Sequence, residues 1–521
     1  MKNIVIVGAG IAGLTAAAYL SQKHKVTLLE KSDDLGGLIG SFSRDGIVFD
    51  KGIRAVENSG TIIPMLKDLG IDLTWKKSEV SIGYEKNFAT LSGKDAIQKY
   101  QQLLYKQFPD EKVAVDLIVK RINKITKYMQ VLYGIDNPMF LDPKKEYKYF
   151  LKTIIPWMFK YSVTVKKIDK LKMPLNTYLS TITTNRELTD MISQKFFDST
   201  PTFFGLSYFS MLNDYYYPVG GMRSLVKGLE EYILEHDGKI LVNHEVTSVD
   251  ADKHIVCVGA KEFSYDKAVW AGDLKTMYKC IASPLTKKAM KKKKEVEKCK
   301  GNNSLFIMYI STNLHADYFE GKCSPHCFYT PNTSGLHSLS IKRSEIVEHL
   351  KSLQKNEQEI ALYKWLKEFI SKQTFEISVP VLQDAALAPA GKSGIIVSFL
   401  FDYSLMKYIK ELGIYDECKI WMQNETVELL DESYFTGLKE SVIDITSSTP
   451  LTIERKFNNS EGSTTGWSFS QDMPVETKLW KIAKSIKTPF KDIYQASHWS
   501  FSPSGVPTSI INAKIVANKI K

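Results

Sequence analysis

Cysteine is scarce in this chain, six in 521 residues. So sparse a set excludes a disulfide-stapled scaffold and predicts a reducing compartment. Long apolar runs are missing too. Apart from the stretch from Ile4 to Leu20, no segment approaches the roughly 18 uninterrupted apolar residues of a bilayer-spanning helix, and the chain is predicted not to cross a membrane. That stretch is not read as a secretion signal, because glycines at positions 8, 10 and 13 have no purpose there. There is no G-x-S-x-G elbow, no H-E-x-x-H pair, no internal repeat and no second clear dinucleotide fingerprint. Cys323-Ser324-Pro325-His326-Cys327 lacks a second Cys/His pair at suitable spacing, so no metal is expected. Hydrophobic residues at 44% and charged residues at 24% exclude disorder and a collagen-like chain. One-signed charge is limited as well: 69 Lys+Arg against 58 Asp+Glu leaves +11. No nucleic-acid module accompanies it, so nucleic acid is not an expected partner. The length suggests about two to four domains.

What is present begins at the amino terminus. The residues from Lys2 to Val7 form a β-branched run of the kind a central parallel strand uses. Gly8-Ala9-Gly10-Ile11-Ala12-Gly13 follows, and an alanine-rich helical stretch runs on to Leu20. Gly8 suits a tight turn, Gly10 a close approach to a pyrophosphate, and Gly13 the packing of helix on strand. The new helix aims its free N–H groups at that pyrophosphate. A second strand is predicted from Lys25 to Leu29, and Glu30 closes it, twenty residues after Gly10. A carboxylate there accepts hydrogen bonds from the ribose hydroxyls of an adenine nucleotide and repels a 2′-phosphate. NADP is thus disfavoured, leaving NAD and FAD. Gly36-Gly37-Leu38, followed by Phe49-Asp50-Lys51-Gly52, resembles the extended fingerprint of FAD-binding oxidoreductases.

Later blocks extend the pattern. They are Tyr217-Pro218-Val219-Gly220-Gly221-Met222, the run from Gly238 to Val246, Asp384 to Lys392, Thr449 to Gly466, and Ile493 to Trp499 followed by Pro503 to Pro507. In this order they resemble the amine-oxidase-like flavoprotein superfamily, and within it the phytoene desaturase, carotenoid isomerase and retinol saturase group. The resemblance covers nearly the whole chain and is weak over 90–210. It implies FAD, held by Gly8, Gly10, Ile11, Ala12, Gly13, Glu30, Lys31, Gly36, Gly37 and Leu38. It further implies that the Val246 backbone meets the adenine, and that His498, Gly505 and Val506 lie along the flavin. Ser497-His498 departs from the Gly-Asp or Gly-Gln usual in the family, and two readings stand for His498: a donor to the cofactor, or an imidazole filling space. Arg54 has two readings as well. It faces flavin or substrate as a catalytic residue, or it pairs structurally with Glu57.

The fold class this implies is α/β: a Rossmann-type FAD-binding domain interwoven with a mixed-sheet-plus-helices substrate domain. The FAD domain is expected from 1–75, 215–285 and 484–521, and the substrate domain with a helical cap from 76–214 and 286–483. Antiparallel strands are predicted over 79–84, 375–382 and 394–402. Aromatic residues from Phe196 through Phe203 and Phe204 to Tyr217 suit a tunnel wall or a packed core. The lysines between Lys287 and Lys300 read as a solvated helix face. From Tyr147 to Met173, aromatic and aliphatic residues alternate with lysines, which suits a segment resting on an anionic membrane surface, or a cap helix packed on its own domain. Pro156 is predicted to interrupt any single long helix there.

The expected activity is FAD-dependent hydride exchange at C–C or C=C bonds of an apolar, isoprenoid- or carotenoid-like small molecule: desaturation, saturation or isomerisation. The alternative is a flavin amine oxidase or protoporphyrinogen-oxidase-like enzyme. A sugar-mutase-like use of reduced flavin and a non-catalytic flavin-binding protein are further readings. The expected location is cytoplasmic, peripheral on the inner face of a membrane.

Overall fold

The β-branched run Asn3–Val7 lies at the centre of a five-stranded parallel sheet in the computed structural model, which describes residues 1–57, 60–142, 144–211 and 214–520. Across it the strands run Lys239–Leu241, Lys25–Leu29, Asn3–Val7, Lys267–Trp270 and Ile493–Gln495, every pair parallel. A parallel sheet is covered on both faces, which is why its central strands read as unbroken apolar runs. The helix Ile11–Ser21 is buried along its whole length, packed by Arg223–Glu235 and Val506–Lys519. A helix that is apolar all round belongs inside. The stretch 4–20 is accordingly strand, glycine turn and core helix.

A second sheet has seven strands, ordered Val442–Ser448, Ser304–Thr312, Ser393–Phe401, Phe375–Ser378, His326–Thr330, Val80–Tyr84 and Asn87–Thr90. It is not wholly antiparallel as predicted: Val80–Tyr84 runs parallel to His326–Thr330. The sequence separation between those two strands leaves room for the crossover that parallel pairing requires. The predicted strand over 375–382 also stops early, at Ser378, because Pro380 opens a 3-10 turn over Pro380–Leu382. Alternation sorts the two faces of this sheet. Phe306, Met308 and Ile310 enter a core beneath helices Lys355–Ser371 and Tyr415–Ser433, whereas Leu305, Ile307 and Tyr309 border a large cavity.

The cap is helical, built on Ala96–Gln107, Lys112–Tyr133, Ile155–Ile168, Arg186–Ser193 and Thr202–Met211 around one apolar cluster. Pro156 does not break the helix there. Tyr147–Tyr149 passes through a π-helical turn, Phe150–Ile154, straight into Ile155–Ile168. The wider turn skips the hydrogen bond that proline cannot donate and gives its ring room. Among the described residues, no helix is long and apolar enough to cross a membrane.

Candidate active site

One cavity of about 2170 Å³ runs from the glycine turn of the parallel sheet to the apolar interior of the cap. Pockets for a single small molecule occupy about 300–1,000 Å³, so this space is large enough for a dinucleotide together with an elongated substrate. Gly8, Gly10, Ile11, Ala12, Glu30, Lys31, Gly36, Gly37 and Leu38 all line it. The two glycine pairs meet because the Gly36 N–H donates to the Ala9 carbonyl at 2.9 Å, bringing Gly36 beside Gly10. Gly36 sits at φ +92°, a conformation that favours glycine. Gly13 lies behind the wall, where a Cβ would stand 1.8 Å from the Gly8 carbonyl oxygen. Glu30 Oε2 accepts from the Ala9 N–H at 2.7 Å and Oε1 from the Ser32 N–H at 3.0 Å, which fixes the carboxylate at the rim of the turn. Lys31 lines the same end, its Nζ donating to the Arg455 carbonyl at 2.9 Å.

Gly505 and Val506 reach the cavity at the N-terminus of helix Val506–Lys519, so a second set of helix N–H groups faces it. His498 lines it too. Its Nε2 is buried with no protein partner, and burial pulls its pKa down to about 4, so the imidazole is neutral near pH 7. Ser504 Oγ is a second buried, unpartnered polar atom on this wall. Buried polar atoms are ordinarily hydrogen-bonded. Two of them beside two helix N-termini and an open glycine cradle fit a polar, phosphate-bearing cofactor. Val246 is placed elsewhere: it is buried in the cluster behind the three-stranded sheet 248–264 and does not line the cavity, whereas Asn243 does.

Other blocks prove to be clamps. Asp50, buried, accepts from Ser41 Oγ at 2.7 Å, Tyr217 OH at 2.6 Å and the Met222 N–H at 3.1 Å. Asp384 accepts from the Gly220 N–H at 2.8 Å and the Ala386 N–H at 3.1 Å. These bonds tie three distant lengths of chain together beneath the cavity.

Arg54 is buried and does not pair with Glu57. Its Nη1 donates to the Glu376 backbone carbonyl at 3.0 Å and stands 3.6 Å from Glu376 Oε2, while its Nε has no partner. His326 Nε2 lies 3.1 Å from Glu376 Oε1, at ion-pair distance but off the line of a full hydrogen bond. Burial alone would raise the Glu376 pKa; Arg54 and then His326 outweigh it and hold the carboxyl at about 2. Glu57 also faces the cavity, from the short strand Val56–Glu57 paired with Tyr215–Pro218, and burial pushes it up to about 7. An ionised and a protonatable carboxyl therefore share one apolar wall. Glu376, His326 and Lys195 were not singled out as site residues from sequence. One signal was available for the first: Glu376 is a lone acid between Phe375 and Ile377, so strand alternation turns it away from the core.

Beyond this cluster the wall is apolar, formed by Phe196, Phe203, Phe204, Met129, Val165 and Ile168. Of the aromatic run read as tunnel or core, Leu206 and Tyr217 are core.

The comparisons with known proteins agree with this geometry. A profile of the family described as flavin containing amine oxidoreductase matches residues 11–316, more than half of the chain. A 4,4'-diapophytoene desaturase (4,4'-diaponeurosporene-forming) of Staphylococcus haemolyticus is 23% identical over 552 aligned positions, covering 99% of this chain and 97% of the relative. An inactive all-trans-retinol 13,14-reductase of Danio rerio is 26% identical over 293 positions, 52% of this chain and 45% of that protein. Among solved structures, putrescine oxidase bound to putrescine superposes with a TM-score of 0.61 at 13% identity, covering 100% of this chain and 98% of that one. An oxidoreductase from Methanosarcina mazei gives 0.57 at 15% identity, covering 100% of both chains. The profile match and a cavity that fits the dinucleotide lead to one conclusion: the chain belongs to the flavin containing amine oxidoreductase family and is an FAD-dependent oxidoreductase.

Proposed function

We propose that the protein exchanges hydride with C–C or C=C bonds of an apolar, isoprenoid- or carotenoid-like molecule, in a desaturation, saturation or isomerisation. The observation that carries this is the shape and lining of the cavity, which continues past Arg54 into an aromatic and aliphatic chamber. FAD, when bound along Gly8, Gly10, Glu30, Gly37, His498 and Gly505, supplies the hydride acceptor and donor. The chain's own residues orient the substrate and exclude water. Arg54, buried against Glu376, places a fixed positive charge beside the chamber, and Glu57, near neutral pH, gives or takes a proton at its carboxyl. Full-length similarity to a diapophytoene desaturase supports the substrate class.

Substrate uptake is proposed to occur at an anionic membrane surface on the cytoplasmic side. Tyr147, Leu151, Ile155, Met158, Phe159 and Val163 are all exposed, Phe159 by 74%, and Lys148, Lys152, Lys160, Lys166 and Lys167 are exposed beside them. The same helix turns Val165 and Ile168 toward the cavity, so one element has a lipid-suited outer face and an inner face on the chamber.

A second reading is oxidation of an amine. It is favoured by Glu376, an ionised carboxylate facing the cavity that suits an ammonium group, and by the putrescine oxidase fold. Anaerobic mixing of the oxidised and reduced flavoprotein with polyenes, steroids and amines separates the two. Flavin bleaching or reoxidation by polyenes alone is the expected outcome, and bleaching by amines alone overturns the proposal.

A further inference from the structure

We infer that Lys195 receives a carboxylate head group of the substrate, so that the molecule taken up is an isoprenoid acid and not a pure hydrocarbon. This rests on the reading of the chamber as an isoprenoid site.

Lys195 follows the helix Arg186–Ser193 and lines the cavity. Its Nζ donates to the carbonyls of Ile192 at 3.0 Å and Met191 at 3.4 Å, and lies 5.2 and 5.0 Å from the ring centres of Phe196 and Phe209. Helix-end carbonyls and aromatic faces attract a cation. They are neutral dipoles, however, and no carboxylate among the described residues pairs with this ammonium. Burial alone pulls its pKa down, to about 7. Deep cations elsewhere in the molecule are matched: Arg54 by Glu376, Arg343 by Asp402, Lys275 by Glu461 and Lys514 by Asp68. Lys195 stands apart from that pattern while bordering the large cavity. A buried charge is tolerated when it is paired, and the cavity is the side from which an anionic partner can reach Lys195.

An ammonium has three donors, and two are used on the helix end. The third, with the unbalanced charge, matches one carboxylate. A phosphate or diphosphate would bring more charge than one lysine balances, and a plain hydrocarbon end would balance none. The rest of such a molecule is accounted for by the same wall, since Phe196 lies against Nζ and faces the chamber together with Phe203 and Phe204.

The test uses the flavin-loaded protein and two probes that differ only at the head, all-trans-retinoic acid and its methyl ester, with binding read from perturbation of the flavin spectrum near neutral pH. Wild type is expected to bind the acid roughly tenfold or more tightly than the ester, the scale of a charge-assisted hydrogen bond. Lys195→Met should lose that preference through weaker binding of the acid, and Lys195→Arg should retain it. Ester binding without preference for the acid in wild type overturns the inference and leaves the isoprenoid reading standing, as does an unchanged preference in Lys195→Met. Binding of neither probe overturns both. Should Lys195→Met fail to fold, the wild-type preference and its retention in Lys195→Arg decide the matter.

Discussion

Glu30 and Glu376 show how differently two carboxylates serve one cavity. Glu30 is held at the rim by two backbone N–H groups, which leaves lone pairs able to accept from a ribose. Replacing it with Ala should weaken FAD retention by about 10- to 100-fold, the loss of one or two charged hydrogen bonds; flavin absorbance per protein after gel filtration measures this, and undiminished occupancy contradicts its role. Glu376 balances Arg54 inside the protein. Glu376→Gln leaves that guanidinium buried without a counter-charge and should cost about 3 kcal/mol of stability in denaturant unfolding. The pH dependence has a definite sign. The folded carboxyl is depressed from its ordinary 4.5 to about 2. Its contribution is therefore complete above 4.5 and is lost as pH falls from there through 2. The acid limb of the wild-type stability curve should carry this component, and that of Glu376→Gln should lack it. Arg54→Met in the Gln background should recover much of the loss, since removing both partners ends the imbalance.

At the scale of elements, the helix over 147–168 joins surface to site. The sequence predicts its mixture of lysines and aromatics; which residues point outward depends on what it packs against. Trp157 donates to the Val131 carbonyl and packs at a tilt against Tyr161, so these two aromatics face the cap, while Leu151 and Phe159 face out. Leu151→Asp with Phe159→Asp should abolish flotation with anionic liposomes at low salt and leave the melting temperature nearly unchanged, because neither side chain has a buried partner to lose. Flotation equal to wild type refutes the membrane proposal. The proline shows the same dependence on packing. From sequence Pro156 reads as a breaker, yet one π turn over Phe150–Ile154 absorbs it, because the helix has an inner face to keep buried. The second sheet is a further instance. Its strands are legible as apolar runs, but the pairing of Val80–Tyr84 with His326–Thr330 joins residues far apart in the chain, and local pattern carries no information on such partners.

At the scale of the molecule, the cofactor cavity is closed by lengths of chain near residues 8–37, 243–272, 452–465 and 497–509. FAD should thus stabilise the fold as a whole: at a hundredfold excess over its dissociation constant it adds about 2.7 kcal/mol, or roughly 2–3 °C for a chain this long. Thermal unfolding of stripped and reconstituted protein measures this shift, and equal midpoints contradict it. The sequence by itself determined the nucleotide end of the site. There the chemistry is local: glycines that admit the backbone turn, a helix beginning one residue later, and a carboxylate closing the next strand are read at fixed spacing along the chain. Only the tertiary structure decided the substrate end. Arg54 and Glu57 share one segment, and Lys195, His326 and Glu376 come from three others; the five line one cavity between the short strand Val56–Glu57, the seven-stranded sheet and the cap. Each is ordinary in its own segment. Burial gives them their character, lifting one carboxyl, lowering the pKa of an ammonium that has carbonyl partners and no carboxylate among the described residues, and leaving another carboxyl ionised only because an arginine and a histidine lie against it.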